Sequence, residues 1–232
     1  MPEIKIATYN IRNCQGIDGK NDPSRIADLL KEIDADIIAL QEVDKYRLRS
    51  NMVNQACKLS KLLRMNYVYG PVNRYFLASA GNALLSKYPI TAHINHVLPY
   101  TRDPRCCLQV TLDVDNRPLN VFNVHLGLNY QLRMSNLKKT ILPMITSLES
   151  PAVLVGDLNA SEDDPEVKLI SSCLHDTFAE NTDPLDTTFP ANEPNERLDY
   201  IFTNAGCTSK KYYIFPSLAS DHLPVIAEIE FN

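Results

Sequence analysis

The residues best suited to catalysis stand where an apolar run ends in a glycine and two polar side chains. Val153–Val155 is aliphatic and mostly β-branched, and it leads through Gly156 to Asp157 and Asn159. The run predicts a buried strand. Residues two apart on an extended chain point the same way, so a carboxylate and a carboxamide would stand together at the strand's end. Taken alone, these residues fit an ordinary Asp/Asn turn equally well.

Polar side chains occupy the same kind of position at several other predicted strand ends. Each follows or interrupts an apolar run, as Asn10 does after Ile4–Tyr9. In a layered α/β protein such ends can converge on one edge of the sheets and form a cleft. A single case is readily explained as a turn or a surface charge, but the repetition indicates a shared site. The candidate site residues are Asn10, Glu42, His125, Asp157, Asn159, Asp199, Asp221 and His222.

Three of these side chains offer the oxygen atoms that hard divalent cations bind. Glu42 and Asp221 are carboxylates, and Asn10 adds a neutral oxygen. A site with few carboxylates and retained waters suits Mg²⁺, or Mn²⁺ in its place, whereas zinc is disfavoured because no thiolate accompanies them. Such a cation can neutralise charge on a phosphate oxygen and stabilise a departing alkoxide. The sequence therefore predicts a magnesium site.

The remaining candidates could carry out the acid–base chemistry of hydrolysis. Asp157 could position and deprotonate an attacking water that Asn159 holds in line, and histidines could donate hydrogen bonds to non-bridging oxygens. Asp199 could orient His222 and support its imidazolium form. The chain contains no G-x-S-x-G, P-loop or G-x-G-x-x-G motif. This excludes the nucleophilic-serine, P-loop and dinucleotide-binding hypotheses.

The elements that would position these residues alternate between helix and strand and then become strand-rich. Helices are predicted after Asp22-Pro23, over 52–64, over 130–148 with a kink or split at Pro143, and after Asp164-Pro165. Strands are predicted at Ile4–Tyr9, Asp36–Leu40, Tyr67–Tyr69, Asn82–Ser86, Thr91–Leu98, Cys107–Val114, Leu119–Val124, Val153–Val155, Leu198–Phe202, Tyr212–Phe215 and Val225–Ile229. This order predicts two sheets packed face to face, with helices outside, in a single domain spanning residues 1–232.

The composition is that of a globular protein without a general attraction for polyanions. The 232 residues are 44% hydrophobic and carry a net charge of -5 at pH 7. That charge gives no general affinity for nucleic acid or anionic membranes, although local basic spots can still form. Six cysteines without zinc-like spacing predict reduced thiols. Because neither a signal peptide nor a transmembrane segment is predicted, we expect a cytoplasmic protein.

Six short motifs occur in one order along nearly the whole chain. They are Thr8-Tyr9-Asn10, Gln41-Glu42-Val43, Asn123-Val124-His125-Leu126, Gly156-Asp157-Leu158-Asn159, Arg197-Leu198-Asp199-Tyr200-Ile201 and Ser220-Asp221-His222-Leu223-Pro224. Each alone is weak, but the set resembles the endonuclease/exonuclease/phosphatase superfamily, which includes deoxyribonuclease I, exonuclease III, sphingomyelinases and inositol polyphosphate 5-phosphatases. The resemblance implies an α+β fold, a four-layer α/β/β/α sandwich with two packed mixed β-sheets, and divalent-metal hydrolysis of phosphate esters.

By position, the resemblance also implies a role for each candidate. The roles are metal binding for Asn10, Glu42 and Asp221, phosphate contact for His125, water activation for Asp157 with its neighbour Asn159, an Asp–His pair for Asp199 and His222, and substrate binding for Arg105. One departure concerns Arg12, where the exonuclease III branch has an aspartate. That branch also lacks a histidine in the place of His125. Both differences disfavour an abasic-site endonuclease.

The substrate remains open between two classes. The acidic balance and the His125 motif favour a small or lipid-derived phosphoester, either a diester or a monoester. The alternative is a nuclease acting on DNA or RNA, because Lys45, Arg47 and Arg49 form a basic loop and Arg74-Tyr75-Phe76 could stack on bases. A catalytically dead binding module is disfavoured, since every motif keeps its polar residue. We expect a monomer whose specificity loops are about 44–51, 71–81, 99–106 and 182–196.

Overall fold

Two six-stranded mixed sheets pack face to face in the computed structural model, which describes residues 2–75, 77–100, 102–182 and 184–231. The strands are β1 (Glu3–Asn10), β2 (Ile37–Lys45), β3 (Asn66–Tyr75), β4 (Ala78–Ser86), β5 (Ile90–Leu98), β6 (Arg105–Val114), β7 (Arg117–His125), β8 (Ala152–Asp157), β9 (His175–Asp176), β10 (Asp199–Thr203), β11 (Cys207–Ile214) and β12 (Val225–Phe231). The first sheet has the order β11-β12-β1-β2-β4-β3, and the second has the order β5-β6-β7-β8-β10-β9. Parallel pairing joins β1 to β2 and β7 to β8.

Helices cover the outer face of each sheet. They are α1 (Pro23–Ile33), α2 (Gln55–Leu63), α3 (Tyr130–Asn136), α4 (Leu142–Thr146) and α5 (Pro165–Ser171), and a π-helical turn (Leu137–Ile141) links α3 to α4. Buried apolar side chains form one core between the sheets, one beneath α1 and α2, and one beneath α3 to α5. The predicted α+β four-layer sandwich is thus confirmed. Among the described helices, none is both long and apolar enough to cross a membrane.

The two-residue period of the strands decides which side chains enter which core. On β1, Ile4 and Ile6 lie between the sheets, whereas Tyr9 lies under the helices. On β8, Val155 lies between the sheets and Leu154 lies under the helices. Burial of one such side chain contributes about 1.5–3 kcal/mol, so a one-residue slip in register would be costly. Polar residues that continue the inward-facing series therefore point into the space between the sheets.

Helix boundaries follow local capping chemistry. The Asp22 side chain accepts a hydrogen bond from the Ser24 N–H at 2.8 Å, and α1 begins at the adjacent proline as predicted. Asp164 precedes α5 as predicted, but its carboxylate accepts from the Ser161 N–H at 2.9 Å instead of capping the helix. Pro143 lies in the first turn of α4, so the predicted stretch 130–148 is divided at the π-helical turn.

Other boundaries differ from the sequence prediction. The helix predicted over 52–64 begins only at Gln55, because the Asn54 side chain accepts from the Cys57 N–H at 3.2 Å and caps α2. Residues 71–81, expected as a loop, lie mostly in β3 and β4. The stacking predicted for Arg74-Tyr75-Phe76 falls on side chains outside the described part of the chain. β9 and much of β11 were not predicted, since their short or polar sequences carry little strand signal.

β2 does not end where its apolar run ends. The sequence predicted a strand end at Leu40 followed by Glu42, yet β2 continues to Lys45. A bulge between Leu40 and Val43 shifts the register with β4, and Glu42 adopts the left-handed conformation with φ 55°. This conformation is unfavourable for a residue with a Cβ, so the surrounding sheet must hold Glu42 there. The bulge turns Glu42 out of the regular pleat.

A buried ion pair braces the segment that follows β7. Arg133 Nε lies 2.6 Å from Glu166 Oε1, and both side chains are buried. The Arg133 Nη1 atom also donates to the carbonyl oxygens of Leu128 at 2.9 Å and Gly127 at 3.3 Å. The pair therefore ties α3 to α5 and fixes the backbone beyond His125.

Glu166→Gln is expected to reduce the free energy of unfolding by about 3 kcal/mol, because it leaves a buried guanidinium without its counter-charge. Urea denaturation measures this difference. Asp163→Asn is the control, since its pair with Lys168 is exposed and should change stability by less than about 0.5 kcal/mol. Equal stability of the two variants would contradict a bracing role for the buried pair.

Candidate active site

Three polar side chains stand in a row across neighbouring strands of the second sheet. Parallel pairing sets His125 of β7 opposite Asp157 of β8, and antiparallel pairing sets Asp199 of β10 opposite Asp157. Each continues the inward-facing series of its strand. Asp157 and Asp199 lie two residues from an apolar side chain between the sheets, and His125 lies two residues from Asn123, which hydrogen-bonds across that space. The apolar core between the sheets therefore ends in a line of buried ionisable groups. The convergence predicted for the strand ends occurs here.

Gly156 fixes the position of Asp157. Its φ is 138°, a conformation that residues with a Cβ rarely adopt, and an added Cβ would run into the Val124 carbonyl oxygen. The Asp157 carbonyl oxygen also accepts from the Leu126 N–H at 2.9 Å. The glycine that ends the apolar run thus permits the close approach of β7 and β8 at the site.

Asp157 is the buried hub of the site. Its Oδ2 atom accepts from Asn10 Nδ2, on the first sheet, at 2.9 Å. Its Oδ1 atom accepts from the Asn159 N–H at 2.9 Å. His125 Nε2 and His222 Nε2 lie 3.4 Å and 3.8 Å from Oδ2. Burial, reinforced by the charge of a neighbouring aspartate, raises the pKa of Asp157, so the carboxylate has a stronger affinity for a proton than a surface aspartate.

Asp199 and His222 form a buried hydrogen-bonded pair. His222 Nδ1 lies 2.8 Å from Asp199 Oδ2, and the Phe189 ring packs against the imidazole with 4.8 Å between centroids. Burial opposes protonation of His222, but the Asp199 carboxylate outweighs it and, with Asp157 and Asp221, raises the pKa of His222 to about 10. His222 is therefore an imidazolium at neutral pH whose Nε2 faces Asp157.

His125 differs from His222 in its protonation state. Burial lowers the pKa of His125 to about 4, against the opposing attraction of Asp157. Its imidazole is therefore neutral at pH 7, and one ring nitrogen donates while the other accepts. The site thus combines a neutral and a charged imidazole on either side of one carboxylate.

The predicted metal-side residues are only partly engaged with one another. Glu42 Oε1 lies 3.5 Å from Asn10 Nδ2, its sole hydrogen-bond partner among the described residues. Asp221 Oδ2 instead lies 3.2 Å from Arg12 Nε, and Asp221 Oδ1 lies 3.3 Å from the Ser220 hydroxyl. Among the described residues, Asn10 Oδ1 accepts a hydrogen bond only from the Arg12 N–H, at 3.1 Å, and Glu42 and Asp221 keep free lone pairs. This set of hard oxygen donors fits Mg²⁺.

A second group of possible ligands is less suited to a cation. Asp157, Asp199 and His222 each offer an atom within 4.8 Å of the others, and all three are buried. The Asp199–His222 hydrogen bond already occupies one ring nitrogen, and the protonated ring carries a positive charge. A hydrated Mg²⁺ would have to displace that proton, so we regard this group as an acid–base cluster.

A cavity of about 500 Å³ extends to His125, whose Nε2 lies 3.4 Å from Asp157 Oδ2, and we call it the arginine-lined cavity. Its wall includes Glu42, His125 and the four arginines Arg47, Arg49, Arg102 and Arg105. The Arg105 Nε–H and the Asn159 side-chain amide donate to the same carbonyl oxygen, that of Leu126, at 3.2 Å and 2.8 Å. Arg105 and Asn159 are thereby held in fixed positions beside His125 and Asp157.

The sequence motifs contained two further residues whose role they did not reveal. Gln41 Nε2 donates to Asn123 Oδ1 at 2.8 Å, across the space between the sheets. Asn123 Nδ2 donates to the carbonyl oxygens of Leu40 at 3.0 Å and Ala83 at 2.9 Å. This buried polar bridge fixes the separation of the sheets next to the site. The sequence did indicate the position of Asn123. Side chains alternate between the two faces of a strand, and Asn123 precedes His125 by two residues, so both point the same way.

The chain is similar to a known protein family. A family model described as the endonuclease/exonuclease/phosphatase family matches residues 7–222. A comparison of the sequence with curated proteins gives no match.

Solved structures share the fold at low sequence identity. An endonuclease/exonuclease/phosphatase from Bacteroides vulgatus has a TM-score of 0.84 and 20% identity, with 100% of each chain covered. A mannosyl-6-phosphatase from Bacteroides thetaiotaomicron VPI-5482 has a TM-score of 0.81 and 20% identity, over 98% of this chain and 100% of that one. Truncated TDP2 from Caenorhabditis elegans has a TM-score of 0.75 and 19% identity, over 99% and 98%.

Proposed function

Since the chain belongs to the endonuclease/exonuclease/phosphatase family, we propose that it hydrolyses phosphate esters with the help of a divalent metal ion. The observation that carries this proposal is the buried Asp157, which is held by Asn10 and flanked by two histidines, one of which, His125, lines the arginine-lined cavity. A carboxylate in that position can activate water, and cationic and neutral donors beside it can receive a phosphoryl group. The catalytic residues in this proposal are His125, Asp157, Asn159, Asp199 and His222.

Asp157 takes the proton of the attacking water in this mechanism. Its two oxygens accept hydrogen bonds from Asn10 Nδ2 and from the Asn159 N–H, so the orientation of the carboxylate is fixed. Burial raises the pKa of Asp157, which makes it a better base than an exposed aspartate. The water then attacks phosphorus in line with the departing oxygen, and Asn159 keeps the base in position.

The histidines stabilise the charge that develops on the phosphoryl oxygens. His222, held as imidazolium by Asp199, can donate a charge-assisted hydrogen bond through Nε2. His125 is neutral and can donate one hydrogen bond from the ring nitrogen that carries its proton. Arg105, fixed on the Leu126 carbonyl, adds a guanidinium at the same end of the cavity. These donors are already in place before the reaction, so little reorganisation accompanies it.

Glu42 and Asp221, with Asn10, would hold Mg²⁺, or Mn²⁺ as a substitute. When bound, the cation supplies charge neutralisation at a phosphoryl oxygen and at the departing alkoxide. Glu42 is the strongest candidate of the three, because its carboxylate has a single long contact within the described residues. The bulge that turns it out of the pleat supports a functional role, since strained backbone of this kind is retained mainly at sites.

A small phosphoester is the favoured substrate class. Of the proposed catalytic residues, His125 lines a cavity of about 500 Å³, a volume within the range of small-molecule sites. Small and lipid-derived esters both fit this description. The alternative is a nuclease, and the specific observation in its favour is the basic loop, since Arg47 and Arg49 both reach the cavity wall.

The function is tested by incubating the protein with Mg²⁺ and p-nitrophenyl phosphate, bis-p-nitrophenyl phosphate, plasmid DNA or single-stranded RNA. Glu42→Gln is expected to lower turnover about a hundredfold at limiting Mg²⁺ and to raise the Mg²⁺ concentration needed for half-maximal rate. Glu32→Gln, on the exposed face of α1, is the matched control. Cleavage that is unchanged in Glu42→Gln would point to a contaminant, and the absence of any cleavage would refute the hydrolase proposal.

A further inference from the structure

The arginine-lined cavity concentrates positive charge in a protein of net negative charge. Four arginines line it, opposed by only Glu42 and Asp103, whereas the whole chain carries a net charge of -5. A concave surface lined by one sign of charge focuses the field and attracts the opposite charge. The cavity is therefore suited to binding an anionic ligand.

Two of the four guanidiniums are already engaged. Arg105 lies at the catalytic end, where its Nε–H donates to the Leu126 carbonyl at 3.2 Å. Arg49 makes a bidentate contact with the buried Asp44 carboxylate, at 2.7 Å and 2.9 Å. The pairing with Asp44 neutralises most of the Arg49 charge and fixes the loop that carries it.

The other two guanidiniums, those of Arg47 and Arg102, are available to a ligand. Neither side chain forms a hydrogen bond or ion pair with any residue in the described part of the chain, yet both line the cavity. The backbone under Arg47 is rigid, because its carbonyl oxygen accepts from the Met52 and Ser50 N–H groups at 2.9 Å and 3.2 Å and from the Ser50 hydroxyl at 3.1 Å. Arg47 is thus presented to the cavity from a fixed point.

We propose that Arg47 and Arg102 form a second anion subsite, so that the substrate is a small phosphoester carrying a further phosphate or carboxylate. This inference rests on the proposed hydrolase function for the ester that is cleaved at the other end. In the proposed mechanism, His125, His222 and Arg105 bind one phosphoryl group. The two further guanidiniums on the wall of the same cavity match a second anionic group, which arginine can bind in bidentate fashion.

The test compares binding of fructose 1,6-bisphosphate and fructose 6-phosphate to the intact protein in EDTA by isothermal titration calorimetry. EDTA removes the divalent cation that the proposed hydrolysis requires, so binding is measured apart from catalysis. We expect the bisphosphate to bind at least about tenfold more tightly than the monophosphate. Arg47→Gln and Arg102→Gln should each reduce that ratio severalfold, and the double variant should bring it close to one. Arg117→Gln, an exposed arginine at the start of β7, makes the same charge change and should preserve the ratio.

Equal affinity for the two sugar phosphates, no measurable binding of the bisphosphate, or a preference that survives the double variant would each overturn the proposal. Tighter binding of a single-stranded oligonucleotide, with the same dependence on Arg47 and Arg102, would also overturn it in favour of nucleic acid. Failure of the hydrolase proposal is distinguished because binding is measured without catalysis. If the protein cleaves no ester but still prefers the bisphosphate through the two arginines, the hydrolase proposal fails and the anion subsite is supported.

Discussion

Asp157→Asn is expected to lower kcat by at least about a thousandfold without unfolding the protein. The substitution keeps the size of the side chain but removes the base that would accept the proton of the attacking water. Because the amide cannot take up that proton, saturating substrate or added metal should not restore the rate. Steady-state kinetics with bis-p-nitrophenyl phosphate and Mg²⁺ measures the loss. A rate within tenfold of the unaltered protein would refute the role of Asp157.

The free energy of unfolding of the Asp157→Asn variant tests whether the buried Asp157 charge destabilises the fold. Asparagine has one acceptor oxygen, so it loses one of the hydrogen bonds from Asn10 and the Asn159 N–H, which costs about 1 kcal/mol. It also removes a buried negative charge next to Asp199, which opposes that loss. We therefore expect the free energy of unfolding to stay within about 2 kcal/mol, measured by urea denaturation. Asp163→Asn, an exposed aspartate, is the control for both measurements.

The central row of the site was predictable because it depends on strand periodicity alone. Asp157 lies two residues beyond the inward-facing Val155, and His125 lies in the same way beyond Asn123. Parallel pairing of β7 and β8 brings their carboxyl ends to one edge of the sheet, as the sequence pattern implied. The apolar cores follow from the same alternation, which is why the four layers were predicted correctly.

The parts of the site that were not predicted depend on irregular backbone conformations and on loops. Glu42 was expected after the end of β2, but a bulge keeps it within the strand. No residue type in that stretch predicts a bulge. Asp221 contacts Arg12, which belongs to a 3₁₀ turn whose conformation only the tertiary structure sets. Arg102 reaches the cavity from a loop without periodicity. Such positions arise from long-range packing, which a local pattern does not encode.

Asp199→Asn is expected to lower kcat about a thousandfold near neutral pH and to move the alkaline limb of the pH–rate profile to lower pH. Asp199 is a positioning residue in this proposal, because it acts through His222. With Asp199 present, the pKa of His222 is raised to about 10, so the imidazolium persists through neutral pH and is lost only as pH rises through that value. Without the carboxylate, burial lowers the pKa of His222 with less opposition, and the imidazolium is lost at a lower pH.

The pH–rate profile and a double-mutant cycle with His222→Gln distinguish this role from a purely structural one. If Asp199 acts through His222, the two substitutions are strongly non-additive, and the double variant is about as slow as the slower single variant. A merely structural aspartate would lower the rate at every pH alike and would add its effect to that of His222→Gln. An unshifted alkaline limb together with additive losses would therefore contradict the assignment. The hydrogen bond of 2.8 Å between the two side chains is the contact that this experiment tests.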